Sequence, residues 1–482
     1  MQQYPFKDLQ PAGIWQYFHE ICQVPRPSKK EERIRAYLVD FAQKQGLEVR
    51  EDAIGNILIK KAGTGGLEDR PPVVLQSHID MVCEKNSEVA HDFLQDPILP
   101  RIEGDWVKAT GTTLGADDGI GMAAQLALLA DKTLPHVPLE CLFTVDEETG
   151  LTGAFGLEAG FFEGKTLLNL DSEDEGEIFI GCAGGIDSVG TFIPEWEATP
   201  AGSFAFEVRV RGLTGGHSGD DIHKGLGNAV KWLTRYLWEA TRDFDFRLAS
   251  IEGGNLRNAL AREARALGVV PRKYKEQVRV LLNCMTADLE EEFAVTEPNF
   301  KLELESADLP AQVYRADFHH KLVNTLMALP HGVMAMSQQV AGLVETSTNL
   351  ASIKEVEGEL VVSTSQRSAI ESARDHLAAV VKACFDLGGA RVRHSDGYPG
   401  WAPNPDSPLL KKSVASYRKL FQQEPEVKAI HAGLECGLFL KKYPGLDMIS
   451  IGPTIKGAHS PDERLHIPSV EKFWKHLIDL LV

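Results

Sequence analysis

The chain has 482 residues, more than one hydrophobic core usually serves, so at least two domains are expected. Its 69 acidic against 50 basic residues give a net charge of -19, which argues against nucleic acid or an anionic membrane surface as partner. Hydrophobic residues make up 43%, as in an ordinary globular protein, and no stretch approaches the ~18 consecutive apolar residues of a membrane span.

The N-terminal MQQYPFKDLQPAG has no basic stretch followed by an apolar one, so the expected location is cytoplasmic. Ser28 and Glu31 have the spacing of a capping box. Ile34, Leu38 and Phe41 follow at helical spacing, with Gly46 placed to end the helix. Two polar segments around 47–61 precede short apolar runs that read as buried strands: VVLQS (73–77), LECLFTV (139–145) and LLNL (167–170). Between the first two, IGMAAQLALLAD (120–131) reads as a crossover helix. This alternation predicts an α/β layer with a mixed, mostly parallel sheet flanked by helices.

From about 186 to 400 the texture changes. FAFEVRVRG (204–212), QVRVLLNCM (277–285) and FKLELES (300–306) alternate like half-buried strands, and amphipathic helices are expected near 226–240 and 368–387. This predicts a smaller α+β domain inserted into the first, with the Pro/Gly-rich 397–408 as the way back. The expected division is 1–185, 186–400 and 401–482. VKAIHAG (427–433), DMISIG (447–452) and a helix near 469–481 complete the α/β pattern. The seven cysteines are scattered without a C-x-x-C pair. Cys141, Cys284 and Cys384 lie in apolar runs and read as buried thiols of a reducing compartment.

In open α/β sheets ligands bind outside the carboxyl ends of the strands. VVLQS runs into His78 and Asp80, LECLFTV into Asp146, Glu147 and Glu148, and LLNL into Asp171. DMISIG is followed by GAHSPDE with His459, and GTTLGADDGIG brings Asp117 and Asp118 to the start of the crossover helix. Each signal alone has a plainer reading. An H-x-D is common by chance, an acidic run is usually a solvated turn, and an aspartate before a helix is usually a cap. Five such segments at one sheet edge are harder to dismiss.

Imidazoles and carboxylates together suit zinc or a similar first-row divalent ion. Four or five ligands with a central aspartate suit two ions about 3.5–4 Å apart. Cations would also explain why Asp146, Glu147 and Glu148 stand side by side, since metal charge offsets their repulsion. Of two adjacent glutamates, one can bind metal while the other stays free as a base. No G-x-G-x-x-G opens a helix after a strand, and GTGG (63–66) is not followed by Lys-Ser/Thr, so a nucleotide-binding protein has little support.

H-x-D at 78–80, GADDG at 115–119, DEETG at 146–150, LDSE at 170–173 and GAHSPDE resemble the di-zinc peptidase family of aminoacylases and glutamate carboxypeptidases. The likeness runs over nearly the whole chain. GLTGGHSGDDIHKGLGNA and GGNLRNALARE resemble its aminoacylhistidine dipeptidase (Xaa-His dipeptidase, bacterial carnosinase) branch. The resemblance implies a di-zinc exopeptidase fold whose inserted domain is a lid and dimerisation domain. It implies His78 and Asp171 on one zinc, Glu148 and His459 on the other, and Asp117 bridging. Glu147 would be the general base, Asp80 would orient His78, and Asp118 would not be a ligand.

The metals implied are two Zn2+, with Co2+ or Mn2+ as alternatives. In the inserted domain His217 resembles the histidine that stabilises the oxyanion, within its own subunit or across a dimer. Asn258, Arg367 and Gly433 resemble substrate contacts, Arg367 holding a carboxylate through a two-point fork. The expected partners are a small peptide and a second copy of the chain, a homodimer through the inserted domain. The expected reaction is hydrolysis of dipeptides, preferentially Xaa-His. A broader dipeptidase or tripeptidase and an N-acyl-amino-acid amidohydrolase are alternatives on the same site. A non-catalytic metal-binding protein is the alternative of another class.

Overall fold

The computed structural model describes residues 4–431 and 433–482. Chain contacts divide it into two compact units: Met1–Gly181 with Pro403–Ala429 and Leu434–Val482, and Cys182–Ala402 with Ile430–Gly433.

The first unit is built on an eight-stranded mixed sheet. Its central strands, Leu139–Thr144, Val73–His78, Thr166–Asn169 and Asp447–Ser450, are neighbours in that order and mutually parallel. Antiparallel strands Ile57–Lys61 and Glu48–Glu51 extend one side. Glu177–Cys182 and Glu426–Ile430 extend the other. The near-continuous burial of VVLQSH and LECLFT fits strands covered on both faces. Their core contains Ile14 and Phe18 of Ala12–Cys22, and Met122 and Leu126 of Ala116–Ala130. Phe473 and Leu477 of the C-terminal helix Ile467–Leu480 belong to it too. Parallel strands put their carboxyl ends at one edge, so His78, the loop after Thr144 and the loop after Asn169 leave the sheet side by side.

In the second unit the element order reveals a duplication. Ser203–Arg211, helix Ala229–Phe244, Arg247–Gly253, Ala264–Pro271, helix Lys275–Glu292 and Lys301–Ser306 form a βαββαβ group with strand order 4-1-3-2. A second such group is Gly184–Phe192, helix Ala316–Ala328, Val344–Val356, Glu359–Ser368, helix Glu371–Gly388 and Arg391–His394. It is laid out as 2-3-1-4. The first group is inserted between the opening strand and the first helix of the second. Their second strands meet antiparallel through Gly253 opposite Ile353, so one sheet runs through both. Among the described residues, no helix is long and apolar enough to cross a membrane.

Three local expectations are corrected. QVRVLLNCM lies in the helix Lys275–Glu292, which buries Val278, Leu282, Met285 and Leu289. Steps of four, three and four residues are helical, and they outweigh the short alternating run. That stripe turns Cys284 outward, so this thiol is exposed, and Cys384 is only half-buried. The capping box does not form either. Helix Glu32–Gln45 starts after Glu31 with no side-chain cap, because Ser28 Oγ donates to Asp80 Oδ2 at 2.7 Å. Glu31 Oε1 instead accepts the N–H groups of Lys29 at 2.8 Å and Asp146 at 3.1 Å.

Candidate metal centre

His78 ends its strand with the ring buried at the carboxyl edge of the first sheet. Its Nε2 lies 2.9 Å from Asp117 Oδ1 and 3.4 Å from Asp171 Oδ1. The other oxygen of Asp117 lies 3.1 Å from His459 Nε2, which is also 3.0 Å from Glu148 Oε2. Two ligand clusters therefore share Asp117: His78–Asp117–Asp171 and Asp117–Glu148–His459, each with its donor atoms within 4.8 Å of one another. A further grouping of His78, Glu147 and Glu148 puts Glu147 against the same centre. His459, in the left-handed region at φ 62°, is half exposed, which leaves that side open.

Asp80 is fully buried behind His78, its Oδ1 3.3 Å from Nδ1, and it accepts the backbone N–H groups of Glu147 and Glu148 at 3.0 and 3.3 Å. One carboxylate thus aims the imidazole and shapes the acidic loop. Such outer partners fix ring orientation in metal sites. Asp118 turns away from the cluster and caps the helix, its Oδ1 accepting the Gly121 N–H at 3.1 Å. Asp118 makes the contact of a plain cap, whereas both oxygens of Asp117 face histidine rings.

The protein's own groups leave this cluster short of positive charge. Burial and neighbouring acids push Asp171 up to about 7, Glu173 up to about 8 and Glu435 up to about 8. Glu147 is raised by burial and by Asp171, Glu148 and Glu435. Burial works against a charged His78, yet Asp171 and Asp117 outweigh it and raise its pKa well above the usual value. Hydrogen bonds to Asp117 and Glu148 carry His459 up to about 11. Protons are retained where divalent ions would balance the carboxylates, and a buried oxygen of Glu148, Oε1, has no hydrogen-bond partner. The donor set fits a two-ion centre.

Four supporting residues escaped the sequence reading. Glu463 accepts the N–H groups of Leu114, Gly115 and Ala116 at 2.7, 2.9 and 2.7 Å, and that of Asp117 at 3.3 Å. It thereby holds the loop that presents Asp117 from a position four residues after His459. Arg26 donates to the carbonyls of Ile79 and Asp80, and to Gly115 O. Glu435 is buried, taking bonds from Gln76 at 2.6 Å and Thr144 at 2.8 Å. Glu173 is the fourth, close enough to feel Asp117, Asp171 and His459. The available signals were a glutamine inside a buried strand and the last acid of GAHSPDE.

The remaining expected residues, His217, Asn258, Arg367 and Gly433, belong to the second unit. His217 Nδ1 lies 3.3 Å from Asp220 Oδ2 and 3.3 Å from the N–H groups of Gly219 and Asp220. The Asn258 carbonyl accepts the Ser218 N–H at 2.8 Å, tying two loops together, while its residue stays exposed. Arg367 is buried on the strand Glu359–Ser368.

The chain has relatives among known peptidases. The chain is 45% identical over 473 residues to the cytosol non-specific dipeptidase of Escherichia coli, covering 98% of each. A crystal structure of aminoacylhistidine dipeptidase from Vibrio alginolyticus is 46% identical and superposes with a TM-score of 0.92, covering 100% of this chain and 98% of that one. A tripeptidase from Staphylococcus aureus, 15% identical, shares the fold at a TM-score of 0.56 with 98% of each chain covered. The model of peptidase family M20/M25/M40 matches residues 74–482, which contain every residue of the centre. The chain is a peptidase and belongs to family M20/M25/M40.

Proposed function

We propose that the chain is a cytoplasmic, metal-dependent dipeptidase that cleaves dipeptides, Xaa-His among them, with Glu147 as general base. The observation that carries this is Asp117, whose two oxygens face His78 and His459 from opposite sides and so join two ligand clusters. His78 and Asp171 would hold one divalent ion, Glu148 and His459 the other, Asp117 both, with Zn2+ the best fit to imidazole and carboxylate donors. Ions held there would supply Lewis acidity, which lowers the pKa of a water and polarises the scissile carbonyl.

Glu147 takes the proton from the attacking water and returns it to the leaving amine as the C–N bond breaks. Asp80 keeps the His78 ring oriented while charge moves. The second unit acts as the lid in this reading. His217 donates to the developing oxyanion, and Arg367 and Asn258 hold the ends of the peptide. The names of the E. coli and Vibrio relatives support dipeptides as the substrate class. The word non-specific in the first favours breadth beyond Xaa-His. A homodimer through the second unit belongs to the same reading.

Glu147→Ala tests the reading directly. The variant should keep both ions, measured by elemental analysis, and lose roughly 10²–10⁴-fold in turnover of a carnosine-type dipeptide. Turnover equal to the wild type would remove Glu147 as the base.

A further inference from the structure

Each of the four parallel central strands of the first sheet carries a buried polar side chain near its carboxyl end. They are Thr144, Gln76, Asn169 and Ser450, none more than 1% exposed. Gln76 stands opposite Asn169, and Asn169 opposite Ser450. Thr144 lies two residues beyond Leu142, the partner of Gln76, so all four share one face. Strands covered on both faces are normally apolar throughout, and a polar belt at this depth calls for a reason.

The hydrogen bonds of the belt run one way. The Ser450 hydroxyl donates to Asn169 Oδ1, and Asn169 Nδ2 donates to Gln76 Oε1 at 2.6 Å. Gln76 Nε2 donates to Glu435 Oε2 at 2.6 Å and to Thr144 Oγ1 at 3.1 Å. Thr144 gives its own hydrogen to the same Glu435 oxygen at 2.8 Å. Every donor therefore leads to one terminal acceptor, the buried first residue of helix Glu435–Lys442. A carboxyl oxygen that takes two donors offers only lone pairs, whereas an amide can turn either end. Glu435 thus decides which way Gln76 faces, Gln76 decides for Asn169, and Asn169 decides for Ser450.

The belt lies directly behind the metal centre. Gln76 is two residues before His78, Asn169 two before Asp171, and Thr144 three before Glu147. Asn169 Oδ1 also accepts the Asp171 N–H at 3.4 Å. The charges of His78, Asp171 and Asp80 reach Glu435, and its own reaches Glu147. Its other oxygen, Oε1, is buried with no hydrogen-bond partner, so among the described residues the carboxyl bonds to the belt alone.

We propose that Glu435 is a positioning residue of the metal centre: as terminal acceptor of the belt it locks the strand ends from which His78, Asp171 and the Glu147–Glu148 loop leave. It rests on the metal-dependent reading for what those strand ends hold. Without the acceptor, a Gln76 N–H is left buried and unsatisfied, a cost that the strands relieve by shifting.

Cobalt-loaded protein reports ligand geometry through its visible absorption, and competition with a chelator reports affinity. Glu435→Ala should weaken cobalt binding about 10- to 100-fold, shift the absorption band and lower kcat for a dipeptide more than it changes KM. Glu435→Gln returns an amide oxygen to the same two donors and should stay within about 3-fold of the wild type. Gln76→Met keeps the bulk, breaks the belt and should repeat the effects of the alanine variant. The double variant should be no worse than the worse single one.

Gln76→Met carries the test alone if Glu435→Ala does not fold. Variants that only melt earlier, with cobalt affinity and spectrum unmoved, would leave Glu435 a structural residue and overturn the proposal. Losses that multiply in the double variant, or Glu435→Gln as weak as Glu435→Ala, would overturn it equally. Wild type that takes up no cobalt would instead sink the metal-dependent reading, an outcome distinct from normal uptake with unmoved variants.

Discussion

The rim of the first sheet and the polar row of the second unit have opposite deficits of charge. At the rim, Asp117, Glu147, Glu148, Asp171, Glu173 and Glu435 gather around two imidazoles, and several carry raised pKa values for want of cations. In the row that Ser347, Arg367 and Gly185 form on neighbouring strands, Arg367 is buried with the Tyr398 hydroxyl at 3.1 Å, and among the described residues no carboxylate makes a direct ion pair with it. Each site is assembled by a sheet, yet by a different property of it. The rim uses the common direction of parallel strands, which sends several loops to one edge. The row uses antiparallel register, which stands side chains of neighbouring strands face to face.

The largest test of the rim is Asp117→Ala. Removing the shared ligand should strip both ions at once and abolish hydrolysis, with elemental analysis returning less than one ion per chain. Retention of two ions would break the picture of a bridged pair. Glu463→Gln is gentler, since it leaves every ligand in place and weakens the hold on the Asp117 loop. Outer partners of metal ligands typically matter by about 10- to 100-fold, so metal affinity or activity should fall within that range. An unchanged variant would mean that the four N–H groups of residues 114–117 hold their loop without that carboxylate's charge.

The rim was legible in the sequence because strand ends are legible. VVLQSH, LECLFT and TLLN announce themselves by apolar runs, and parallel pairing then dictates which residues meet. What supports the rim was hidden for a specific reason. Glu463 and Arg26 act on backbone N–H and carbonyl groups of distant loops, and any loop offers those groups whatever its sequence. Ser28 and Glu31 carried a true signal, a polar pair at fixed spacing, that local rules assigned to a helix cap. Tertiary structure spends both on Asp80 and the Asp146 loop instead. The row was invisible for another reason: nothing in SQRS or HAGLE says that Arg367 stands between Ser347 and Gly185. That follows from a register set within a duplicated βαββαβ unit whose first copy interrupts the second.

The two regions should also respond to pH in opposite senses. In metal-free protein, Asp171, Glu173 and Glu435 keep protons up to about 7–8 that an unfolded chain releases near 4. His459 keeps its proton to about 11 against 6.5 unfolded. The folded rim binds more protons than the unfolded chain in these windows, so its stability falls as pH rises. Chelation should therefore lower the melting temperature more at pH 8 than at pH 5.5, and a difference of the opposite sign would break this half of the comparison.

The second unit holds neutral histidines instead. Burial depresses His319 to about 3 and His331 to about 4, below their unfolded value of 6.5. Each contribution is intact above pH 6.5 and is lost as pH falls toward the folded value, because only the unfolded chain gains the proton there. His319 shows why its ring resists charge. Nδ1 accepts the Leu248 N–H at 3.2 Å, and Nε2 lies 2.9 Å from Thr241 Oγ1. Protonating Nδ1 would turn one donor against another. At pH 5 this residue should cost on the order of 1–2 kcal/mol relative to pH 7.5, and His319→Gln should flatten the acid limb of holoenzyme stability by that amount. An acid limb identical in both proteins would move the acid sensitivity elsewhere in the chain.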